Sequence, residues 1–539
     1  MKNVIFSLFV LFSLVACGEK SEPTTVVDKN DDTYSPAKVQ PVLEEWHRKT
    51  FSYFYEGADP LTGMAYEGNE RGSIVTIGGS GFGVMALIVG SERGWITRQQ
   101  AAERTQKIVR FLGKAERYKG MWSHWYNTDG TAAPFGNQVK TSDVVESSFM
   151  MAGLLTAAEY YTSSSLIEAE IRDSVNSFWN TMDWKFYAQS GKELKWLWYS
   201  LENRFELNIN GWHEGWIGYI LALGAPDKNA ISESVYRQGW QRNGDFYYPN
   251  RKFYGYELPL GEEKGGPLFF AHYSFLGLNP QLLEDNYANY WKQNVAHTMI
   301  NRHYCIAEAP KSYKYDEKNW GLTACYGGKP PWEYKARSPL NDDGVIAPTA
   351  ALASYPYTPF YSTQVLLNLA EMPLVHGTYG FADSYSPATN TSEKRHLAID
   401  QGPIVVMMEN YRSGLIWNLL MRNEHVRKGL SRAGVKEKPE YEQGFHLAML
   451  NTETELYDMM RHPDRKQFEL HYFVQNTGNV QFTITNKSLN KVVLEKSVQA
   501  TAGEQIFEFD SKEIINGETH IIKMITSDNK EYSILTKLR

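Results

Sequence analysis

The chain has 539 residues, with 55 Lys and Arg against 62 Asp and Glu, a formal net charge of −7. That balance excludes a nucleic-acid partner, because neutralising phosphates needs a basic surface and no long basic patch is present. Hydrophobic content is ordinary for a globular protein, but the aromatic share of 14%, with 15 Trp and 34 Tyr, is high; such side chains join a flat apolar face to a polar edge, which suits sugars.

The N-terminus reads Met1-Lys-Asn, an apolar run from Val4 to Val15, then Ala16-Cys17-Gly18. A basic start, a short apolar run and a small residue before a cut predict an export signal over 1–17, too short for an ordinary spanning helix. Leu14-Val15-Ala16-Cys17 resembles the bacterial lipobox, which implies cleavage before Cys17, lipidation of its thiol and a lipid anchor in a membrane. Gly18 rather than Asp after the cysteine favours the outer membrane, on its periplasmic or extracellular face. Residues 18–38 are polar and predict a flexible tether.

From 39 to 430 the pattern is helical. Residues 42–55 place Trp46, Phe51 and Phe54 near one face. Residues 97–114 carry Ala102, Ile108, Val109 and Leu112 at helical spacing between charges. Further helices read at 143–161, 216–223, 287–307, 362–371 and 404–420, joined by aromatic, Gly-rich loops such as 248–266 and 314–331. About a dozen helices with variable loops fit paired helices in a closed double ring, and long loops are usually functional. Residues 431–465 are charged and read as a connector. Over 466–539 the period becomes two, as in Phe468-Glu-Leu-His-Tyr-Phe-Val474 and Val480-Gln-Phe-Thr-Ile484, which predicts a small C-terminal β-sandwich. The expected fold is mainly α.

Two stretches mix apolar and polar residues: Leu268 to Pro280, with His272, Tyr273 and Ser274, and Ala398 to Arg412, with Asp400, Gln401, Glu409, Asn410 and Arg412. Buried polar groups must find partners, so such segments suggest a polar cleft inside an apolar scaffold. Hydrolysis of a glycosidic bond needs a carboxylic acid to protonate the leaving oxygen and a carboxylate to activate water or attack. Glu214 fits the first role: it sits in Gly211-Trp-His-Glu-Gly-Trp-Ile-Gly-Tyr219, where Trp212, His213 and Trp216 would desolvate it and keep it protonated. The alternative is a first-turn Glu favoured by the helix dipole. Asp143 and Glu146 share a helical face, as cleft carboxylates or as a capping box. Asp400 is an N-cap or a site carboxylate. Asp342 and Asp343 precede Gly344 and read as turn formers.

Trp122, Trp125, Trp212 and His272 are the candidates for sugar subsites, with Tyr273, Gln401 and Arg412 as further substrate contacts; a lone His beside Phe residues, as His272 is, is more often a satisfied core residue. Gly78-Gly-Ser-Gly-Phe-Gly83 lacks the Gly-Lys-Ser/Thr ending of a phosphate loop and reads as close helix packing beside the cleft. Cys305 and Cys325 are either a pair or two buried thiols. No Cys/His metal-ligand spacing is visible, and neither metal nor cofactor is expected.

Several blocks in order carry a resemblance: Thr76-Ile-Gly-Gly-Ser-Gly-Phe-Gly83, Asp143-Val-Val-Glu-Ser-Ser-Phe149, Gly265 to Pro280, Tyr287 to His297, Ile346-Ala-Pro-Thr-Ala350 and Ala398 to Leu415. Over about residues 40 to 428 the chain resembles the glucoamylase-like bacterial proteins that include the β-1,2-glucanases of glycoside hydrolase family 144. The resemblance implies an (α/α)6 barrel, no metal, and hydrolysis, by inversion, of β-1,2-glucan or its oligosaccharides. By position Glu214 matches the family acid, and Asp143 and Glu146 its paired cleft carboxylates. Val139 departs from the pattern, standing where family members often carry another Asp. The expectation is therefore an exported, monomeric lipoprotein glycosidase. The alternatives are a non-catalytic glycan-binding lipoprotein, or an exo-hydrolase of another glucan.

Overall fold

The structure, a computed structural model, describes residues 36–70, 72–135, 140–189, 191–327, 333–437, 455–461, 468–474, 477–487, 489–501, 503–509, 519–529 and 531–537. Cys17, the signal segment, the tether up to residue 35, Val139 and much of the connector lie outside these.

The helices that build the body are α1 (Pro36–Tyr55), α2 (Ile77–Glu92), α3 (Arg98–Lys114), α4 (Val144–Tyr160), α5 (Leu166–Thr181), α6 (Trp216–Gly224), α7 (Tyr290–His303), α8 (Pro348–Leu352), α9 (Pro359–Ala370), α10 (Ala398–Ser413) and α11 (Glu424–Arg432). They fall into two kinds. In α2, α4, α6, α8 and α10 nearly every residue is buried. An all-buried helix has no solvent face, so it must be surrounded. The others are two-faced: α3 buries Ala101, Ala102, Thr105, Ile108, Val109, Phe111 and Leu112 and leaves its polar side out.

The buried helices close a ring. Helix α2 packs on α4 and on α10, and α4 packs on α6. Two 3-10 turns, Leu268–Ala271 and Ser274–Leu276, form the next inner position. Ser274 Oγ accepts from the Ile217 amide and donates to the Glu214 carbonyl, fastening this segment to α6. His272 bonds Ser354 Oγ through Nε2 at 2.9 Å, and the Tyr357 hydroxyl donates to the Ala271 carbonyl, tying it to the chain after α8. Helix α8 then packs on α10. Outside lie α1 against α10 and α2, α3 against α2, α5 against α4, α11 against α6, α7 against the 3-10 turns and α9 against α8. Six inner positions with six outer partners are consistent with an (α/α)6 barrel.

Close approach of α2 and α4 depends on glycine. A Cβ on Gly153 would lie 2.2 Å from the Gly81 carbonyl oxygen, inside any tolerable contact. The run Gly78 to Gly83 is thus the buried start of α2, as its composition suggested.

Beyond the ring, two antiparallel sheets follow. One orders Glu455–Arg461, Phe468–Val474 and Gly503–Phe509; the other orders Lys491–Ala500, Gly478–Asn486, Thr519–Ile525 and Glu531–Lys537. Val480, Phe482 and Ile484 alternate inward, as a two-residue period requires, and join Leu470, Tyr472, Val474, Phe509, Ile522 and Met524 in one apolar cluster. The expected boundary at 466 needs correction. Residues 455–461, assigned to the connector, pair with Phe468–Val474 as an edge strand. Their charges masked a strand that satisfies its backbone on one side only. Lys436–Glu437 pairs with Leu283–Glu284 on the barrel, so part of the connector is strand there too. Cys305 and Cys325 are both free and buried.

Candidate active site

Acidic residues gather where inner helices begin. A short strand, Thr141–Asp143, pairs with Leu194–Tyr199 and leads into α4. Asp143 is the N-cap: its Oδ1 accepts from the amides of Val145 and Glu146 at 2.9 and 3.0 Å. Its other oxygen lies 2.7 Å from His124 Nδ1. Asp143 therefore caps the helix and also reaches the cleft, through the imidazole. Glu146 does not complete a capping box. Its Oε2 crosses to accept from the Gly78 amide at 2.6 Å, at the N-terminus of α2. A Cβ on Gly78 would lie 2.4 Å from that oxygen, so a larger residue there would displace the Glu146 carboxylate.

Charges in this corner depend on one another. Burial pushes the Glu146 carboxyl up to about 7; Asp143 and Glu67 add to the rise, while His124 and the Gly78 amide oppose it. For His124, burial works against the charged ring, but Glu146, Asp143 and Glu67 outweigh it and push the imidazole up to about 9. The ring stacks on Phe135 at 4.1 Å between centroids and stands edge-on to Trp125.

Glu214 comes from the turn before α6. Its side chain is 12% exposed, with Oε2 3.3 Å from His213 Nδ1. His213 stacks on Trp196 and accepts from the Gly215 amide. Glu262, in the long loop at 248–266, faces the same place: burial raises its carboxyl, and the Glu214 charge raises it further.

A third acidic group sits at the start of α10. Asp400 lies in the first turn but is not the N-cap, which is Leu397. Its buried side chain is hydrogen-bonded to that of Asp383. Burial pushes Asp383 up to about 7 and raises Asp400 as well, the Asp383 charge adding to the effect there. Two buried carboxyls in contact cannot both be ionised cheaply, so the pair holds a proton between them. Asp383 also accepts from the Tyr326 amide at 2.6 Å.

Tyr273 relates the three groups. Its ring packs on Phe82, Phe149 and Phe269. Burial raises its phenol well above the usual range, and Asp400, Glu214 and Glu146 all add to the rise. One buried hydroxyl that feels all three carboxyls has Glu214, Glu146 and Asp400 near it.

The structure brings together Glu214, Asp143, Glu146, Asp400 and Tyr273, with Trp125 partly exposed beside His124. Gln401 is buried beside Asp400, its amide donating to the Phe381 carbonyl at 3.5 Å. Four expected contacts are corrected. Trp122 is fully buried, its indole donating to the Leu112 carbonyl, so it packs the core. Trp212 is buried among Trp216, Trp240, Phe275 and Tyr290, behind the Glu214 turn. His272 is satisfied inside the ring by Ser354, and burial lowers its imidazole to about 3, so it is a neutral core residue. Arg412 lies at the far end of α10, paired with Glu44 at 2.7 Å and with His47. Asp342 and Asp343 are held by Tyr315 and Arg337 respectively.

Sequence reasoning missed His124, Asp383, Glu67 and Glu262. His124 stands between two tryptophans, Trp122 and Trp125, that were singled out; an ionisable residue inside an aromatic run was the available signal. Asp383, in Ala382-Asp383-Ser384, carries no local signal.

Carboxyl groups gathered where inner helices begin, inside a double ring of helices, are of the kind that glycosidic bond cleavage requires. The family model Glycoamylase, described as "Putative glucoamylase", matches residues 206–424. The crystal structure of a protein given the same description, from Bacteroides uniformis, is 46% identical with a TM-score of 0.70, covering 74% of this chain and 98% of that one. The endo-β-1,2-glucanase of Chitinophaga pinensis, solved with sophorotriose and glucose, is 41% identical with a TM-score of 0.70, covering 74% and 99%. An exo β-1,2-glucooligosaccharide sophorohydrolase (non-reducing end) of Parabacteroides distasonis is 37% identical over 444 residues, 77% of this chain; the match spans 60% of that relative's length. The chain belongs to the glucoamylase-like bacterial family, of the glycoside hydrolase family 144 type.

Proposed function

We propose that this protein hydrolyses β-1,2-glucan or its oligosaccharides. The observation that carries the proposal is that Glu214, Glu146 and Asp400, from three different inner-helix starts, all act on the one buried hydroxyl of Tyr273. The endo-β-1,2-glucanase and sophorohydrolase relatives support the linkage. In this mechanism Glu214 gives its proton to the glycosidic oxygen as the C1–O bond breaks. Asp143, Glu146 or Asp400 positions or activates a water, which attacks C1 from the opposite face and inverts it. The aromatic surface of Trp125 and Phe135 is proposed to receive a sugar ring.

The same proposal extends to the chain's setting. Cys17 would carry lipid and anchor the protein in the outer membrane as a monomer, with the barrel held away from the surface by residues 18–38. The C-terminal sheets would serve as an accessory β-sandwich. Incubating the purified protein with β-1,2-glucan and measuring new reducing ends tests the activity. Turnover is expected there, and silence across β-1,2-, β-1,3- and α-1,4-glucans would remove the hydrolase reading.

Val139 favours a second reading, since it lacks the carboxylate that family members often carry there: a non-catalytic glycan-binding lipoprotein. Calorimetry showing tight oligosaccharide binding without cleavage would support it.

A further inference from the structure

We propose that Asp143 and His124 form a positioning couple that sets the charge of Glu146, and that Glu146 alone of the corner takes the proton from water. This deepens the hydrolase reading and rests on it. Both oxygens of Asp143 are already engaged, Oδ1 by two backbone amides and Oδ2 by His124 Nδ1. With three of its roughly four acceptor sites taken and no surface exposed, Asp143 is less open to a water than Glu146. His124 is pushed up to about 9, so at neutral pH both ring nitrogens carry a proton and Nδ1 donates across the 2.7 Å bond to Asp143 Oδ2. Phe135 fixes the ring plane from one side, and Trp125 from its edge. The Nε2 of His124 has no hydrogen-bond partner among the described residues, so it remains for substrate or water in the cleft.

Glu146 is the opposite case. One oxygen accepts from Gly78, and the residue keeps 8% of its surface exposed. The groups that act on it are Asp143 on its own helix, His124 from the segment before, Glu67 from the loop before α2 and the Gly78 amide of α2. Of these only His124 is a cation. Without it Glu146 would face two carboxylates in a buried site and stay protonated at neutral pH, useless as a base. With it, the carboxylate takes a water proton while the water oxygen bonds C1, and the leaving oxygen takes the proton of Glu214. Charge and atoms balance: one proton enters at Glu146 and one leaves at Glu214.

Two measurements test the couple. In wild-type protein with 13C-labelled histidine, one imidazole is expected to remain protonated through pH 8 and to titrate near the pushed-up value of about 9. In E146Q and D143N that same resonance is expected to titrate about one unit lower or more, by loss of a neighbouring charge. In kinetics, H124N keeps a donor toward Asp143 but loses the cation. It is expected to lower kcat about 100-fold, to leave KM within about threefold, and to move the acidic limb of the pH–kcat/KM profile up by about one unit. A histidine set with no high-titrating member, or one indifferent to E146Q, overturns the couple whatever H124N does. So does an H124N enzyme with the wild-type acidic limb, or one altered in KM alone. Wild-type protein inert toward every glucan overturns the hydrolase reading itself; an active wild type matched by H124N overturns only the role of His124.

Discussion

Asp143 and Asp383 show how one residue type is given different tasks by its surroundings. Asp143 is bonded by two amides and an imidazole. Asp383 meets one amide and another carboxyl, and so keeps a proton. The second case predicts a pH dependence of stability. An unfolded Asp titrates near 4, whereas folded Asp383 is pushed up to about 7. Its folded-state affinity for protons is the greater one. Its contribution to stability is therefore fully present below about pH 4 and lost as pH rises through about 7. D383N removes the titration while keeping an acceptor for Tyr326 and a donor for Asp400. It is expected to match the parent in thermal unfolding at pH 4.5 and to exceed it by about 1–3 kcal/mol at pH 8. Equal melting curves at pH 8 would argue against a shared proton. At the same scale, E214Q is isosteric and partly exposed, so the fold should persist. Turnover on β-1,2-glucan is expected to fall by about 100-fold or more, and undiminished kcat would remove Glu214 as the acid.

The inner helices are elements that amphipathic patterning cannot reveal, because they have no polar face. Gly81 and Gly153 let α2 and α4 approach backbone to backbone, and that contact aligns the N-termini bearing Gly78 and Glu146. G153A would force a methyl against the Gly81 carbonyl and should cost about 1–3 kcal/mol. The urea midpoint should fall, and Glu146 chemistry should suffer with it. An unchanged midpoint would mean that the helices can slide apart freely. The outer helices, by contrast, were readable: α3 begins at Thr97 with a complete capping box to Gln100 and buries the apolar positions its spacing implies. The 3-10 turns around His272 were legible as a mixed stretch but not in their role. The polar side chains there fasten inner elements to one another, His272 to Ser354 and Ser274 to the start of α6.

For the whole molecule, the ring and the following sheets separate two kinds of apolar cluster. Cys305 and Cys325 lie in different clusters of the ring and stay unpaired. Burial raises both thiols above the usual range, which makes them poor nucleophiles. In protein produced from residue 18 onward, a thiol reagent should find neither group in the native state and both in denaturant. Reductant should leave the melting temperature unchanged. Rapid labelling of the native protein would contradict the packing.

The amino-acid order by itself determined the helical body, the shift to a two-residue period near the C-terminus, and Glu214 with the Asp143–Glu146 spacing. These are local patterns, set by side-chain periodicity and by neighbours a few positions away. Tertiary structure alone decided which polar residues share the cleft. Asp383 meets Asp400, and His124 meets Asp143 and Glu146, only because the inner ring brings distant turns together. The same closure sent Trp122, Trp212, His272 and Arg412 elsewhere. Burial and electrostatic coupling act through space, and chain spacing does not encode which turns a closed ring will place face to face.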